Sequence, residues 1–456
     1  MAIPDTVSTD NLECSLLSNP TDNTRTHQTA MKAEEDHFHF TWYSWCQKFH
    51  MSRCISLLAL HILAFFGPML VPWHKKTVAF TWAYGNAQAY GITAGYHRLW
   101  SHRSYNASRP LQYLLAIVGA SAVQRDIEWW CYQHRAHHRF TDTELDPYNA
   151  LRGFWHSHIG WLLLRAPRRR RELVDIEDLR KNPVVQWQRR NYFLLALTFG
   201  VIIPGIIPYW CWNESVGSCV VFAIACRMCV VYHTTWAVNS FSHWLGKASY
   251  DDKHTPRDNF VVALLTHGEG YHNFHHEFPM DYRNAVEWYQ YDPTKWFIWI
   301  CQKLGLASHL KVALDNEIKK SRLSMYLKTL RLIQDKITWP PTPKDLPVVD
   351  WNNFRAQSLE RPLIVIAGFI HDVSEFIDQH PGGSNVLLQN VGRDVTTAFF
   401  GGVYDHSNAA HNLLSMMRVG VLRQGVEPHK EMVVTPCRQR LMIKECNETS
   451  VQGDTK

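Results

Sequence analysis

The sequence predicts an α-helical integral membrane domain, four transmembrane helices under a helical cap, followed by a smaller domain of different character. Three observations predict it. Four long apolar runs form two pairs with very short joints, at 74–76 and 213–214. Histidines, 26 among 456 residues, concentrate in three tight boxes that the runs leave on one side. The mean hydropathy is nevertheless only −0.26, so a strongly polar remainder must offset the apolar runs.

Composition narrows the class. With 46% hydrophobic residues the chain is neither disordered nor collagen-like. Eleven cysteines, odd in number and without repeated spacing, exclude a disulfide-knotted domain and fit thiols facing a reducing compartment. The single CxxC, Cys226 and Cys229, lies inside an apolar run and reads as two small apolar residues on a helix face.

Residues 1–49 read as a disordered tail. Their first 40 are rich in Thr, Asp and Asn with no apolar core, so no cleavable signal peptide is expected. The apolar runs at 54–73, 77–96, 192–212 and 216–238 each approach the ~20 residues that a bilayer helix needs. The second is impure, carrying Asn86 and Gln88. A shorter run at 111–123 reads as an interfacial or re-entrant helix. Four spans put both termini and the loop 97–191 on one side. That loop is arginine-rich, including the run 168–171, so the positive-inside tendency makes it cytosolic. Sequons at Asn106, Asn213 and Asn447 matter only in a secretory lumen.

The boxes on that side carry the chemistry. In the first, His97 and His102 are five apart, ~140° of rotation on an α-helix, so they are expected to serve two different points. The second is His134-Arg135-Ala136-His137-His138 and the third His272-Asn273-Phe274-His275-His276. Spacing of i, i+3 and i+4 puts three imidazoles of each on one helical face. Neutral imidazole is a common ligand for iron, zinc and copper, and no cysteine accompanies these boxes, which counts against structural zinc. Eight nitrogen donors exceed what one metal uses, so two metals are implied. Redox-active iron suits an oxidation of an apolar substrate beside membrane helices. Asp142, Glu144, Asp146 and Glu269 are available to fix imidazole tautomers.

These boxes resemble those of the membrane-bound acyl-CoA Δ9-desaturases, the stearoyl-CoA desaturase family, and specifically its fungal form. The matching stretches are GITAGYHRLWSHRSYNA, HRAHHRFTDTELDPYNA and THGEGYHNFHHEFPMDYRNAVEWYQYDPTKW. The similarity spans roughly residues 50–310. It implies a di-iron centre held by nine histidines in the cytosolic helical cap, O2 as co-substrate, and no catalytic residues beyond the metal ligands. The ninth is His243, in Asn239-Ser240-Phe241-Ser242-His243, with Asn239 acting through a water. The resemblance also implies a bent apolar tunnel lined by Trp130 and Trp236, and Arg165 near the phosphates of a fatty acyl-CoA. Glu128 departs from the basic residue that fungal enzymes generally carry before the Trp pair. Thr81 and Gly85 would lie near the closed end of the tunnel, where small residues leave room for 18 carbons, so stearoyl is expected over palmitoyl. Gly85 also suits plain close helix packing.

Residues 311–344 read as a basic helical connector ending at Pro340-Pro341-Thr342-Pro343, and 426–456 as a C-terminal tail. Residues 345–425 hold eight acidic and five basic residues, a net of −3 against +9 for the remainder, which favours docking of the two halves. This unit contains His380-Pro381-Gly382-Gly383 and, later, Gly401-Gly402-Val403-Tyr404-Asp405-His406-Ser407. It resembles cytochrome b5, implying a small α+β domain that binds haem b through His380 and His406, with His411 a weaker competitor. Two imidazoles leave such a haem no open position, so it carries electrons and does not bind oxygen. Together the resemblances imply a multi-pass protein of the endoplasmic-reticulum membrane, active site and haem domain cytosolic. It is expected to be supplied by NADH-cytochrome b5 reductase and to bind no nucleic acid. The alternatives are a di-iron lipid hydroxylase and a membrane-anchored b5-type electron carrier. A front-end desaturase fits less well, because its b5 domain is N-terminal and Gln opens its third box, where this chain has His272.

Overall fold

The computed structural model describes residues 48–165, 174–400 and 406–423. The stretches read as tails, 1–47 and 426–456, the arginine run 168–171 and the segment 401–405 lie outside the described residues. The chain divides into two compact units, Met1–Lys328 and Thr329–Lys456.

In the first unit, α1 (Met51–Met69) is joined by a short turn to α2 (Lys75–Tyr90), which runs straight on as a π-helix over Gly91–Ser101. After β1 (Asn106–Ala107) come α3 (Arg109–Ser121) and α4 (Ile127–Phe140), then two long helices, α5 (Pro183–Trp212) and α6 (Val216–Trp244). Among the described residues three helices, α1, α5 and α6, are long and apolar enough to cross a membrane. Their large apolar side chains point outward, as Phe65 at 73% exposure and Phe193 at 78% show, which in a helix needs an apolar surrounding rather than water.

The predicted second span forms α2 but is not one of those three. Its polar residues are used internally. Gln88 is buried and donates to the Ser121 carbonyl at 2.7 Å, and the Thr77 hydroxyl receives the Trp212 indole N–H at 2.8 Å. Local sequence fixes the helix starts. Asp126 caps α4 by accepting from the Trp129 N–H, and Asn182 accepts from Val184 and Val185 ahead of Pro183 at the start of α5.

The polar end is completed by α7 (His272–Glu277), α8 (Pro293–Lys303), β2 (Ala307–Ser308), which pairs antiparallel with β1, and α9 (Asp315–Gln334). Every residue of the π-helix is buried, packed against α3, α4 and α8 around Ile92, Tyr96, Leu115, Ile127, Cys131 and Ile298. Gly91 and Gly119 touch backbone to backbone, and a side chain at either would collide. The first half of α9 lies against this end: Ile318 is buried with Tyr250 and Phe274, and Arg322 donates to the Tyr250 hydroxyl at 2.7 Å.

The second unit is a four-stranded sheet with short helices. The order is β3 (Val348–Val349), β6 (Arg418–Leu422), β5 (Phe369–Asp372), β4 (Leu363–Ile366), with β3 parallel to β6 and the other pairs antiparallel. The β4–β5 hairpin turns on Ala367 and Gly368, both at positive φ, the geometry of a two-residue type I′ turn. Between β3 and β4 lies α10 (Trp351–Ser358), and between β5 and β6 lie α11 (Ser384–Leu388), α12 (Thr396–Phe400) and α13 (Asn408–Met416).

Candidate metal centre

Nine imidazoles meet at the polar end of the first unit, in two adjoining groups. One comprises His97, His102, His134, His138 and His275; the other His137, His243, His272 and His276. Within each group one ligand atom per ring lies within 4.8 Å of all the others. The groups abut through His138 and His276, whose rings stack at 4.2 Å. These are the eight box histidines and His243.

The local backbone explains why the grouping departs from the sequence reading. His97 and His102 were expected at two different points, yet they share one group. The segment before His102 is π-helical, and the His102 N–H donates to the His97 carbonyl at 3.1 Å, so a spacing of five closes one turn. The second and third boxes were expected to aim three rings one way, yet each divides two to one. On an α-helix i and i+4 are ~40° apart, whereas i+3 lies ~100° from i+4. Thus His134 and His138 enter one group and His137 the other. In the short α7, His272 and His276 stay together and His275 crosses over.

Outer partners aim the rings. His97 Nδ1 lies 2.9 Å from Glu269 and His137 Nδ1 2.9 Å from Asp146. His243 Nδ1 donates to the Thr255 hydroxyl at 2.7 Å, which donates to Asp142 at 2.6 Å. In each case a protonated Nδ1 leaves Nε2 as a bare lone pair. The Nε2 atoms of His137 and His243 are buried without a hydrogen-bond partner, and those of His102 and His134 face each other at 2.8 Å. Converging imidazole nitrogens of this kind fit cations of the iron and zinc class. Glu144, the fourth acidic residue named from sequence, instead forms an exposed ion pair with Arg152.

Arg98 is the residue that sequence reading missed. Fully buried, it donates to Glu269 at 2.9 Å and to both oxygens of Asp292 at 2.9 and 3.0 Å. Burial alone would raise the Glu269 carboxyl, but His97 and Arg98 hold it down to about 2, so it is an anion throughout the physiological range. The available signal was the charge of Arg98 directly beside His97 in an otherwise uncharged segment.

Burial, followed by repulsion between neighbouring rings, pushes His102, His134, His138, His272, His275 and His276 well below the usual 6.5, so all six are neutral donors at about pH 7. Because protonation is easier in the unfolded chain, the native state loses stability as pH falls through 6.5 towards those lowered values. Bound metal should therefore be retained through about pH 6.5 and lost only well below it, where the folded imidazoles protonate, measured as metal per chain after gel filtration. Metal loss that begins already at about pH 6.5 while the chain is still folded would contradict the burial argument.

Two apolar cavities reach these rings. One, about 310 Å³, is lined by Trp129, Trp130, Trp236 and Asn239 and reaches His134; the other, about 50 Å³, runs from Ala89 and Thr93 to His97 and Glu269. Trp130 belongs to both and stacks on His134 at 5.1 Å. Asn239 also borders both, one turn before His243 on α6. Thr81 and Gly85 line neither of these cavities. The Thr81 hydroxyl is buried without a partner, and Gly85 sits against Arg227 and Val231 of α6, 3.6 Å from where its Cβ would be. Arg165 is exposed and donates from Nε to the Phe49 carbonyl at 3.3 Å. Glu128, the departure before the Trp pair, is buried and accepts from Arg189 at 2.9 Å and Gln186 at 3.1 Å, so its charge is already paired.

In the second unit a pocket of about 740 Å³ has apolar walls, among them Ile364, Ile366, Leu387, Phe399 and Leu414, with His380 and His406 at its rim. His380 Nδ1 lies 3.2 Å from the Gly383 carbonyl and His406 Nδ1 3.1 Å from that of Phe399, which leaves both Nε2 atoms as lone pairs. Gly382 allows the His380 ring to fold back over it, since a Cβ there would sit 2.9 Å from His380 Cε1, and Gly383 holds φ +90°. His411 is buried edge-on to Phe399 and does not line the pocket. Size and donors fit a flat apolar group held by two imidazoles.

Two family models match the chain: "Fatty acid desaturase" over residues 72–307 and "Cytochrome b5-like Heme/Steroid binding domain" over residues 350–423. The chain is 43% identical over 388 residues to a "Probable acyl-CoA desaturase" of Schizosaccharomyces pombe, covering 85% of this chain and 80% of that protein. It is 40% identical over 406 residues to "Acyl-CoA desaturase 1" of Saccharomyces cerevisiae, covering 88% and 79%. Against human "Stearoyl-CoA desaturase 5" the identity is 41% over 264 residues, 57% of this chain and 80% of the relative.

Proposed function

Because the chain belongs to the fatty acid desaturase family and carries a cytochrome b5-like domain behind the desaturase region, we propose that it is an oxygen-dependent acyl-CoA Δ9-desaturase. It places a cis double bond in saturated fatty acyl-CoA, stearoyl before palmitoyl, with electrons delivered through its own haem domain. The observation that carries this reading is the meeting of nine imidazoles in two groups, one of which borders an apolar cavity through His134.

The nine histidines would hold two irons, with Asn239 beside them at the cavity as a further partner through a water. When bound, the irons supply the activation of O2 that removes hydrogen from two adjacent methylenes. The rest falls to the protein. Glu269, Asp146 and the Thr255–Asp142 pair fix the imidazoles that they touch, so the donor set is preorganised. Trp130 and Trp236 shape an apolar channel that excludes water and leaves one C–C bond beside His134. Arg165 serves the phosphates of the head group. His380 and His406 would hold haem b, which would supply electrons received from NADH-cytochrome b5 reductase.

We read α2 as the fourth span, supported by its packing against both α5 and α6 and by the Tyr84 hydroxyl on the Phe199 carbonyl at 2.7 Å. The membrane is that of the endoplasmic reticulum, with the metal centre and the b5-like domain on its cytosolic side. Microsomes fed defined acyl-CoAs test the reading. Wild type should yield the 9,10 double bond with stearoyl preferred, and Gly85→Phe should shift the products towards shorter chains. A hydroxylated product would refute the reaction, and an unchanged chain-length ratio would refute the placement of Gly85.

A further inference from the structure

Away from the nine imidazoles, a third cluster lies between the long helices and takes no part in the proposed reaction. His61 on α1 faces Cys229 and His233 on α6, with one ligand atom of each within 4.8 Å of the other two. Cys229 and His233 are i and i+4, one above the other on one helix face. The Nε2 atoms of His61 and His233 are 3.0 Å apart, close enough for one ion ~2 Å from each.

The outer contacts suit ligation. His61 Nδ1 donates to the Leu57 carbonyl at 2.7 Å. His233 Nδ1 lies 2.9 Å from His158 Nε2, His158 Nδ1 lies 2.8 Å from the Ser240 oxygen, and the Ser240 hydroxyl donates to the Trp236 carbonyl at 3.0 Å. Read from those two carbonyls inward, every ring donates outward and both facing Nε2 atoms are bare lone pairs. That is the tautomer pattern of metal-bound imidazoles, each anchored through its second nitrogen. Without a cation, His233 Nε2 donates to His61 Nε2 and the His158 and Ser240 protons reverse with it, while His61 keeps its bond to Leu57.

We infer that His61, Cys229 and His233 form a binding site for a single Cu(I) ion within the membrane-spanning helices. The charge balance selects the ion. Neither Met51–Met69 nor Val216–Trp244 contains an acidic residue, and Cys229 is the one thiol grouped with His61 and His233, so its thiolate, formed on binding, is the anion available to the ion. With a monovalent ion the site is neutral, whereas a divalent ion leaves a net positive charge at apolar depth, which is costly. Thiolate with imidazole is also the donor set that a soft ion prefers.

The test uses the full-length, iron-loaded protein in detergent, incubated anaerobically with Cu(I) and dialysed against bathocuproine disulfonate. One copper per chain should remain, with one sulfur and two nitrogen neighbours in its X-ray absorption spectrum. Cys229→Ser and His233→Gln should each lower the retained copper at least about tenfold, while iron content and the haem spectrum stay at wild-type values, showing that the fold is intact. Equal copper in variants and wild type, none in wild type, or preferential retention of zinc would overturn the assignment. If either variant loses iron and haem, the wild-type absorption spectrum and His61→Gln decide: a sulfur-free copper shell, or His61→Gln retaining copper, overturns it.

Discussion

Replacing His137 with alanine should abolish double-bond formation while leaving the haem Soret band of the second unit intact. His137 lies in the four-imidazole group, its Nδ1 held by Asp146 and its Nε2 buried without a partner. Removing it deletes a donor from a group that has no spare ring and leaves the Asp146 carboxylate buried. The loss should exceed the ~10–100-fold that removing an outer partner costs. Product analysis by gas chromatography and the optical spectrum of one preparation suffice. Activity above a tenth of wild type, on the scale of that smaller effect, would show that this ring is not a ligand.

Arg98→Met should be the most destabilising single change in the first unit. Arg98 is enclosed on all sides and holds two buried carboxylates, Glu269 and Asp292, which in turn position His97 and the start of α8. Methionine fills the space but leaves two adjacent buried anions unpaired, a cost of about 3–5 kcal/mol for breaking a buried pair. The melting temperature of the detergent-solubilised protein should fall by several degrees and metal should be lost with it. An unchanged melting temperature would mean that water reaches these carboxylates. The double variant Arg98→Met with Glu269→Gln should recover part of the loss, because one of the stranded charges is then gone.

The parts of this molecule legible in the sequence were those that spacing and hydropathy encode. The apolar lengths marked α1, α5 and α6, and the His boxes marked the polar end at which all nine rings meet. The HPGG stretch marked the pocket that His380 and His406 share. What spacing could not encode was backbone that leaves the α-helix. A five-residue gap reads as two directions at 3.6 residues per turn, but the π-helix brings His97 and His102 together. Nor could i, i+3, i+4 spacing assign His137 and His275 to different groups, since that depends on how α4 and α7 face each other. The role of Arg98 is tertiary, because its partners lie more than 170 residues away. Cys229 and His233 share a face of α6, but one cysteine and one histidine do not mark a site by themselves, and the third member, His61, sits on another helix.

In the proposed reaction one chain holds both a di-metal site and its own electron donor. The direct test is NADH-dependent desaturation of stearoyl-CoA by the purified full-length protein with cytochrome b5 reductase and no added cytochrome b5, comparing wild type with His380→Ala. Wild type should form one 9,10 double bond per NADH consumed. His380→Ala should lose the haem and the NADH-dependent product while retaining wild-type iron. Equal product from His380→Ala, or a hydroxylated product from wild type, would contradict it.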